Sequence, residues 1–228
     1  MQSIQIGLTH EHTCSYLPSQ KERVAVAVDS NMHTDENYEV LLANGFRRSG
    51  ETVYSPYCIG CSQCQALRVD ASLFTLTKSQ KRLRNKTNHL YYQVKPSLDK
   101  NWFPLYASYI TKRHRDGIMY PPDKQDFAKF SSCAWLTVNY LHIYEEDELL
   151  AIAVMDILPH SASAFYTFYS PDSPLSLGSL AILYQLEFCK LHQKQWLYLG
   201  YQIDSCPAMN YKVHFHPHQR LVNQRWRG

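Results

Sequence analysis

The stretch WLTVNYLHIYEEDELLAIAVMDILPHSASAFYTFY, Trp135 to Tyr169, decides the fold. Trp135 to Tyr144 alternates in polarity, Glu145 to Glu148 is a charged turn, Leu149 to Ile157 is an apolar run broken only by Asp156, and Ser163 to Tyr169 alternates again. Period-two alternation marks strands, and short turns join neighbours antiparallel, so this stretch is expected to be a three-stranded meander. Pro171 and Pro174 close it. Ser176-Leu177-Gly178 then opens a helix to about His192, Trp196 to Tyr201 reads as a short buried strand, and a helical turn is expected from Cys206 to Lys212.

Upstream, the signals are punctuation and helical periodicity. Thr34 is a plausible N-cap for a helix carrying Tyr38, Leu41 and Leu42 on one face, and Gly45 stops it. A short strand is expected around Thr52 to Tyr54, another from Gln65 to Phe74, and a basic helix from Lys78 to Lys86. Leu90 to Val94 reads as a strand, Asp99 to Arg115 as an amphipathic helix, and Asp123 to Phe130 as a shorter one. The class is therefore α+β. Two units are expected, meeting in the soft segment Gly117 to Asp123: residues 1–120, a small α/β domain with a cysteine-rich loop, and residues 121–228, with a largely antiparallel sheet.

The 228 residues are 45% hydrophobic and 19% charged, which excludes disorder, collagen and coiled coil. A net charge of +3 excludes a polycationic nucleic-acid binder but allows local basic patches. The longest apolar stretch falls short of the roughly 18 residues that a membrane span needs. Early charges at Glu11, Lys21, Glu22 and Arg23 replace the apolar core of a signal peptide, so a cytoplasmic protein is expected. Against this ordinary background, 17 Tyr and seven Cys need explanation.

Three of the cysteines, Cys58, Cys61 and Cys64, form C-x2-C-x2-C, and Cys14 is the obvious fourth. Thiolates converging on one loop suit zinc or an iron-sulfur cluster; reduced thiols that pack two loops together are the plainer reading. Lys78-Ser79-Gln80-Lys81-Arg82-Leu83-Arg84-Asn85-Lys86 holds five cations in nine residues and no carboxylate. With Arg47 and Arg48 it is a candidate cradle for phosphates or an acidic peptide, against the alternative of a solvated helix face. Tyr166, Phe168 and Tyr169 are candidate pocket walls, with Gly200 permitting close backbone approach. His214, His216 and His218 invite a metal reading, but an ordinary polar terminal segment explains them better. There is no Walker loop, no G-x-S-x-G and no H-E-x-x-H.

Several stretches together resemble a known family. His12-Thr13-Cys14-Ser15-Tyr16-Leu17-Pro18, Gly45-Phe46-Arg47-Arg48-Ser49-Gly50, Tyr54-Ser55-Pro56-Tyr57-Cys58 and Lys78-Ser79-Gln80-Lys81-Arg82 are similar to the amino-terminal signature of the aminoacyl-tRNA-protein transferases. Tyr166-Thr167-Phe168-Tyr169, Ser176-Leu177-Gly178 and Tyr198-Leu199-Gly200-Tyr201, followed by Cys206-Pro207-Ala208-Met209-Asn210-Tyr211-Lys212, resemble its carboxy-terminal signature. Gln202 and Ala208 resemble the bacterial leucyl-transferring branch, since arginyl-transferring members commonly carry Trp and Lys there. The resemblance implies an acetyltransferase-like (GNAT) second domain. It also implies transfer of leucine from leucyl-tRNA to proteins with amino-terminal Asp or Glu, marking them for degradation (the N-degron pathway), with no cofactor required for the transfer step. On this reading Tyr201 and Asp204 are the candidate catalytic pair, Asp204 accepting the amine proton and Tyr201 polarising the carbonyl. Tyr166, Phe168, Tyr169, Gly178, Gly200, Gln202, Asn210, Tyr211 and Lys212 would hold the aminoacyl end. Arg47, Arg48, Lys78, Ser79, Gln80, Lys81 and Arg82 would bind the acidic amino terminus or tRNA phosphates. Arginyl transfer, small-molecule N-acetyl transfer, and a non-catalytic redox- or metal-dependent RNA-binding module are the alternatives.

Overall fold

The computed structural model describes residues 4–228, which form two main antiparallel sheets, a two-stranded ribbon and five α-helices. The chain opens with β1 (Ile6–Leu8), the ribbon β2 (His12–Thr13) and β3 (Lys21–Glu22), then β4 (Val24–Ala27). Helix α1 (Asp35–Ala43) begins where the Thr34 side chain accepts the Asn37 amide, and Gly45 takes φ +87° just past its end. Strands β5 (Arg47–Ser49) and β6 (Thr52–Pro56) complete a sheet of order β1-β4-β6-β5.

Strand β7 (Gln65–Asp70) stops four residues earlier than its alternation suggests, because the Asp70 side chain accepts the amides of Ser72 and Leu73 and turns the chain. The basic helix α2 (Lys78–Lys86) follows, then β8 (Leu90–Lys95), α3 (Trp102–Arg113) and α4 (Lys124–Ser131). The meander is β9 (Val138–Glu145), β10 (Glu148–Ile157) and β11 (Ser161–Tyr169), paired antiparallel as the alternation requires. Helix α5 (Leu177–Leu191) leads to β12 (Trp196–Gln202), and the chain closes with β13 (His218–Val222) and β14 (Arg225–Arg227). The helical turn expected at Cys206 to Lys212 is a 3-10 turn at Asn210–His214.

The large sheet has the order β14-β13-β7-β12-β11-β10-β9-β8, with one parallel pair, β11 and β12. It draws β7 and β8 from before residue 120 and β9 to β14 from after it, which corrects the expected division at 120/121. Both faces are covered. Ala151, Ala153 and Met155 of β10 pack toward Leu180, Ala181 and Tyr184 of α5, while Ile152 and Val154 pack toward Tyr106 and Ile110 of α3 and Phe127 of α4. A strand buried on both faces has no polar side to display, so β10 reads as a continuous apolar run.

Asp156 is the exception in that run, and it holds the two sheets together. Its carboxylate accepts Nη2 of Arg48 at 2.6 Å and Nε at 2.9 Å, with both side chains fully buried. The rest of the guanidinium donates to the carbonyls of Gly50 and Ser131, its face lies 4.1 Å from the Phe165 ring, and the Tyr38 hydroxyl donates to Asp156 at 3.4 Å. Every charge is paired and hydrogen-bonded, the condition under which such a pair is tolerated in an apolar interior. Arg48 is thus structural, and the expectation that it meets a phosphate or acidic peptide is corrected.

Asp156→Ala leaves the buried guanidinium uncompensated and should cost about 3–5 kcal/mol in urea unfolding. Arg48→Met/Asp156→Leu should recover most of that loss, and a double variant as unstable as the single one would count against this role.

Candidate active site

β11 and β12 pair only at Ser161 to Ser163 opposite Trp196 to Tyr198, although β11 runs on to Tyr169 and β12 to Gln202. Beyond the last pair the parallel strands diverge, leaving a fork in the middle of the sheet. Each prong carries a bulge: the register of β11 shifts at Phe165 opposite Val154 and Met155, and that of β12 at Leu199 opposite Arg68 and Leu67. Gly200, at φ +83°, supplies the left-handed residue that the second bulge needs. The fork opens into a cavity of about 1600 Å³ closed by the small sheet, the cysteine loop, the start of α5 and the segment Cys206 to Lys212.

The Arg47 guanidinium stands in the fork. Neighbouring residues on a strand point to opposite sides, so β5 sends Arg48 to Asp156 and Arg47 to the Ala164 carbonyl in the fork, although both border the cavity. Nη2 of Arg47 donates to the Ala164 carbonyl at 3.2 Å, and the guanidinium packs over Gly200, where an added Cβ would lie 3.6 Å from Nη2. Arg47 is only 7% exposed, Nη1 has no hydrogen-bond partner, and no carboxylate lies within ion-pair distance among the described residues.

A second cation lies beside it. Lys212 is buried on the 3-10 turn and lines the same cavity, with Nζ donating to the Met209 carbonyl at 3.2 Å. Burial first, and the positive charge of Arg47 second, lower its pKa to about 8. Two buried cations without a counter-ion are costly in the free protein, and they make this end of the cavity a site for an anion.

The remaining candidates divide. Tyr166, Tyr169, Gly178, Gly200, Tyr201 and Tyr211 line the cavity with Lys212; Gln202, Asn210 and Asp204 do not. Phe168 is corrected outright: fully buried, opposite Ile152, it packs on Tyr106 and Phe127 in the core. The Tyr201 hydroxyl donates to the Gly45 carbonyl at 2.8 Å, so its proton is committed to joining β12 to the end of α1 rather than free to polarise a carbonyl. Gln202 bonds Asp204 at 2.8 Å, and Asp204 also accepts from Arg220 at 2.6 Å. Those bonds, Arg220 first, hold the Asp204 carboxyl below its usual pKa, a poor setting for a proton acceptor. Of the α2 set, Gln80 is buried and completes the capping box with Thr77, while Lys78, Ser79, Lys81 and Arg82 are exposed outside the cavity.

Cys14, Cys58, Cys61 and Cys64 share one wall of the cavity, where burial first, and the neighbouring Cys14, Cys58 and Cys61 second, push the Cys64 thiol up to about 12. All are free, and among the described residues no three His, Cys, Asp or Glu side chains are grouped as a metal would need. The side chains as placed do not fit an iron-sulfur cluster or zinc. No helix is long and apolar enough to cross a membrane among the described residues.

Several wall residues lie outside the candidates that the sequence singles out. Phe165 and Leu199 reach the cavity through the bulges, Ile182 through α5, and Asn223 and Gln224 through the turn between β13 and β14. A bulge leaves alternation almost intact in the sequence, so only the paired strand reveals it. The first turn of α5 also faces the cavity: Ser176 makes no side-chain cap, and Leu177, Gly178 and Ser179 line the space.

Arg47→Met should raise stability by about 1 kcal/mol in urea unfolding, because it removes a buried charge that has no counter-ion. A comparable loss would mean that the bond to Ala164 outweighs the desolvation.

Comparison with known proteins places the chain. Residues 101–222 match the family model described as arginine-tRNA-protein transferase, C terminus, and residues 12–82 match that described as arginine-tRNA-protein transferase, N terminus. The chain is 62% identical over 225 residues to a Vibrio vulnificus protein named aspartate/glutamate leucyltransferase, covering 99% of this chain and 97% of that one. It is also 62% identical over 229 residues to a Vibrio cholerae protein of the same name, covering 100% and 98%. The solved structure of L-PGS from Bacillus licheniformis is similar at a TM-score of 0.46 and 16% identity, over 78% of this chain and 54% of that one.

Proposed function

The chain belongs to the aminoacyl-tRNA-protein transferase family and is a transferase, and we infer that it moves leucine from leucyl-tRNA to the amino-terminal Asp or Glu of acceptor proteins, marking them for degradation. The observation that carries the choice of acceptor is the Arg47 guanidinium, whose Nη1 has no hydrogen-bond partner and which has no counter-ion among the described residues, with Lys212 beside it, inside the cavity. An acidic side chain entering there supplies the missing counter-charge and leaves its own α-amine farther along the cavity. A basic side chain would meet two buried cations.

The leucyl end occupies the apolar walls, with Tyr166, Tyr169, Ile182 and Leu199 around it. An arginyl group would lose its hydration against those four uncharged side chains; the carboxylates that line the cavity, Glu22 and Asp116, are not among them. In the first turn of α5, where Gly178 and Ser179 line the cavity, the backbone amides offer a place for the phosphates of the tRNA end.

In the reaction the α-amine nitrogen attacks the ester carbonyl. A C–N bond forms, the C–O bond to the ribose breaks, the amine loses a proton and the ribose oxygen gains one. The ester is already activated, and an α-amine of pKa near 7.7–8 is partly neutral at working pH, so positioning does most of what is required and no cofactor enters the step. The cysteine wall contributes shape to this reading, with no step assigned to a metal. An acetyltransferase-like architecture for the sheet with the fork, and a cytoplasmic location beside the tRNA pool, belong to the same reading.

The decisive assay crosses radiolabelled leucyl- and arginyl-tRNA with peptides beginning in Asp, Glu, Arg and Lys. Leucine should pass to Asp and Glu peptides only; equal transfer of arginine, or transfer to Arg and Lys peptides, would overturn the reading. Lys212 adds a pH signature. It carries its charge below about pH 8 and loses it above. The kcat/KM for a Glu-initiated peptide relative to a Gln-initiated one should therefore fall between pH 7 and 9, while amine titration, common to both peptides, cancels. In Lys212→Met the ratio should be low and flat with pH.

A further inference from the structure

We propose that the cationic face of α2 docks the acceptor stem of the aminoacyl-tRNA by its phosphates, outside the cavity that receives the aminoacyl end. The proposal rests on the leucyl-tRNA-dependent reading above, and it separates two roles that the sequence leaves merged.

The helix has two faces. Gln80, Leu83, Arg84 and Thr87 turn inward at spacings of three and four: Gln80 donates to the His214 carbonyl at 3.1 Å, Leu83 packs on the core beneath the sheet, and Arg84 pairs with Glu187 at 2.9 Å. Lys78, Lys81, Arg82 and Lys86 lie on the other side at i, i+3, i+4 and i+8, all exposed. None is in an ion pair among the described residues, and the helix carries no carboxylate. Solvated helices usually intersperse opposite charges at these spacings, whereas like charges there oppose folding. A row of four cations with no internal partner is thus unexplained by the fold, and it complements a polyanion.

Position supports the same occupant. The bond from Gln80 to His214 fixes the first turn of α2 to the 3-10 turn that carries Tyr211 and Lys212 into the cavity. The cationic face therefore stands beside the site rather than in it. The single-stranded end of a tRNA can enter the cavity, but the double helix behind it cannot and must lie along the rim. A-form RNA presents phosphates and 2′-hydroxyls there, and exposed Lys and Arg read those without regard to sequence. From Lys78 to Lys86 the face spans about 12 Å, enough for several phosphates.

The test is Lys78→Ala/Lys81→Ala/Arg82→Ala, assayed with leucyl-tRNA and with 3′-leucyl-adenosine, which has no stem, at a saturating Glu-initiated peptide. With leucyl-tRNA, KM should rise at least about tenfold near physiological salt while kcat holds, and the slope of log KM against log salt should fall by about 2 to 3. Transfer from leucyl-adenosine should match wild type, which also shows that the variant is folded. Unchanged KM and salt slope, or an equal loss with both donors, would overturn the proposal. If the unaltered protein transfers no leucine from leucyl-tRNA, the underlying reading fails instead, and the two failures are told apart in the wild-type arm.

Discussion

The buried ion pair between Arg48 and Asp156 is the constraint on which the site depends. It joins the small sheet, through β5, to the centre of the large sheet, through β10, and closes the joint with Tyr38 and Phe165. Because residues alternate along β5, fixing Arg48 on one side aims Arg47 to the other, into the fork between β11 and β12. A hydrophobic joint could bind the sheets as firmly, but a bidentate pair also fixes the register of β5 to within the tolerance of two hydrogen bonds.

The fork has a comparable logic. Parallel strands that pair over three residues and then part expose backbone groups that must be satisfied elsewhere. Arg47 takes the Ala164 carbonyl of β11, and Gly200 of β12 allows the close approach. The same contacts that stabilise the opening place an unneutralised charge within it. The site is therefore electrostatically incomplete in the free protein, and on the function proposed above an acidic acceptor completes it. Such incompleteness is a normal trade of stability for function.

How much of this the amino-acid sequence reveals depends on the kind of signal. The meander, the Thr34 cap, the basic helix and α5 are legible because periodicity and capping are local. The division at residue 120 misleads because β7 and β8 find their partners far along the chain, and short strands such as β5 and β13 carry too few residues for a pattern. Arg47 and Arg48 look alike in sequence, and only the partner Asp156, itself an odd charge in an apolar run, separates them. Asp204 and Tyr201 stand close together in one stretch of sequence, but their hydrogen bonds to Arg220 and Gly45 tie them into the structure, which the sequence does not reveal. The cysteine spacing brings four thiols to one wall without gathering them at a point.

The central claim is that the charge of Arg47 in the fork selects an acidic amino terminus. The most direct measurement is the ratio of kcat/KM for Glu- and Gln-initiated peptides of otherwise identical sequence, in the unaltered protein and in Arg47→Met at constant pH and salt. A strong preference for Glu that collapses toward unity in the variant is the predicted result. A preference that survives the substitution undiminished would contradict the account and move acceptor recognition away from the fork.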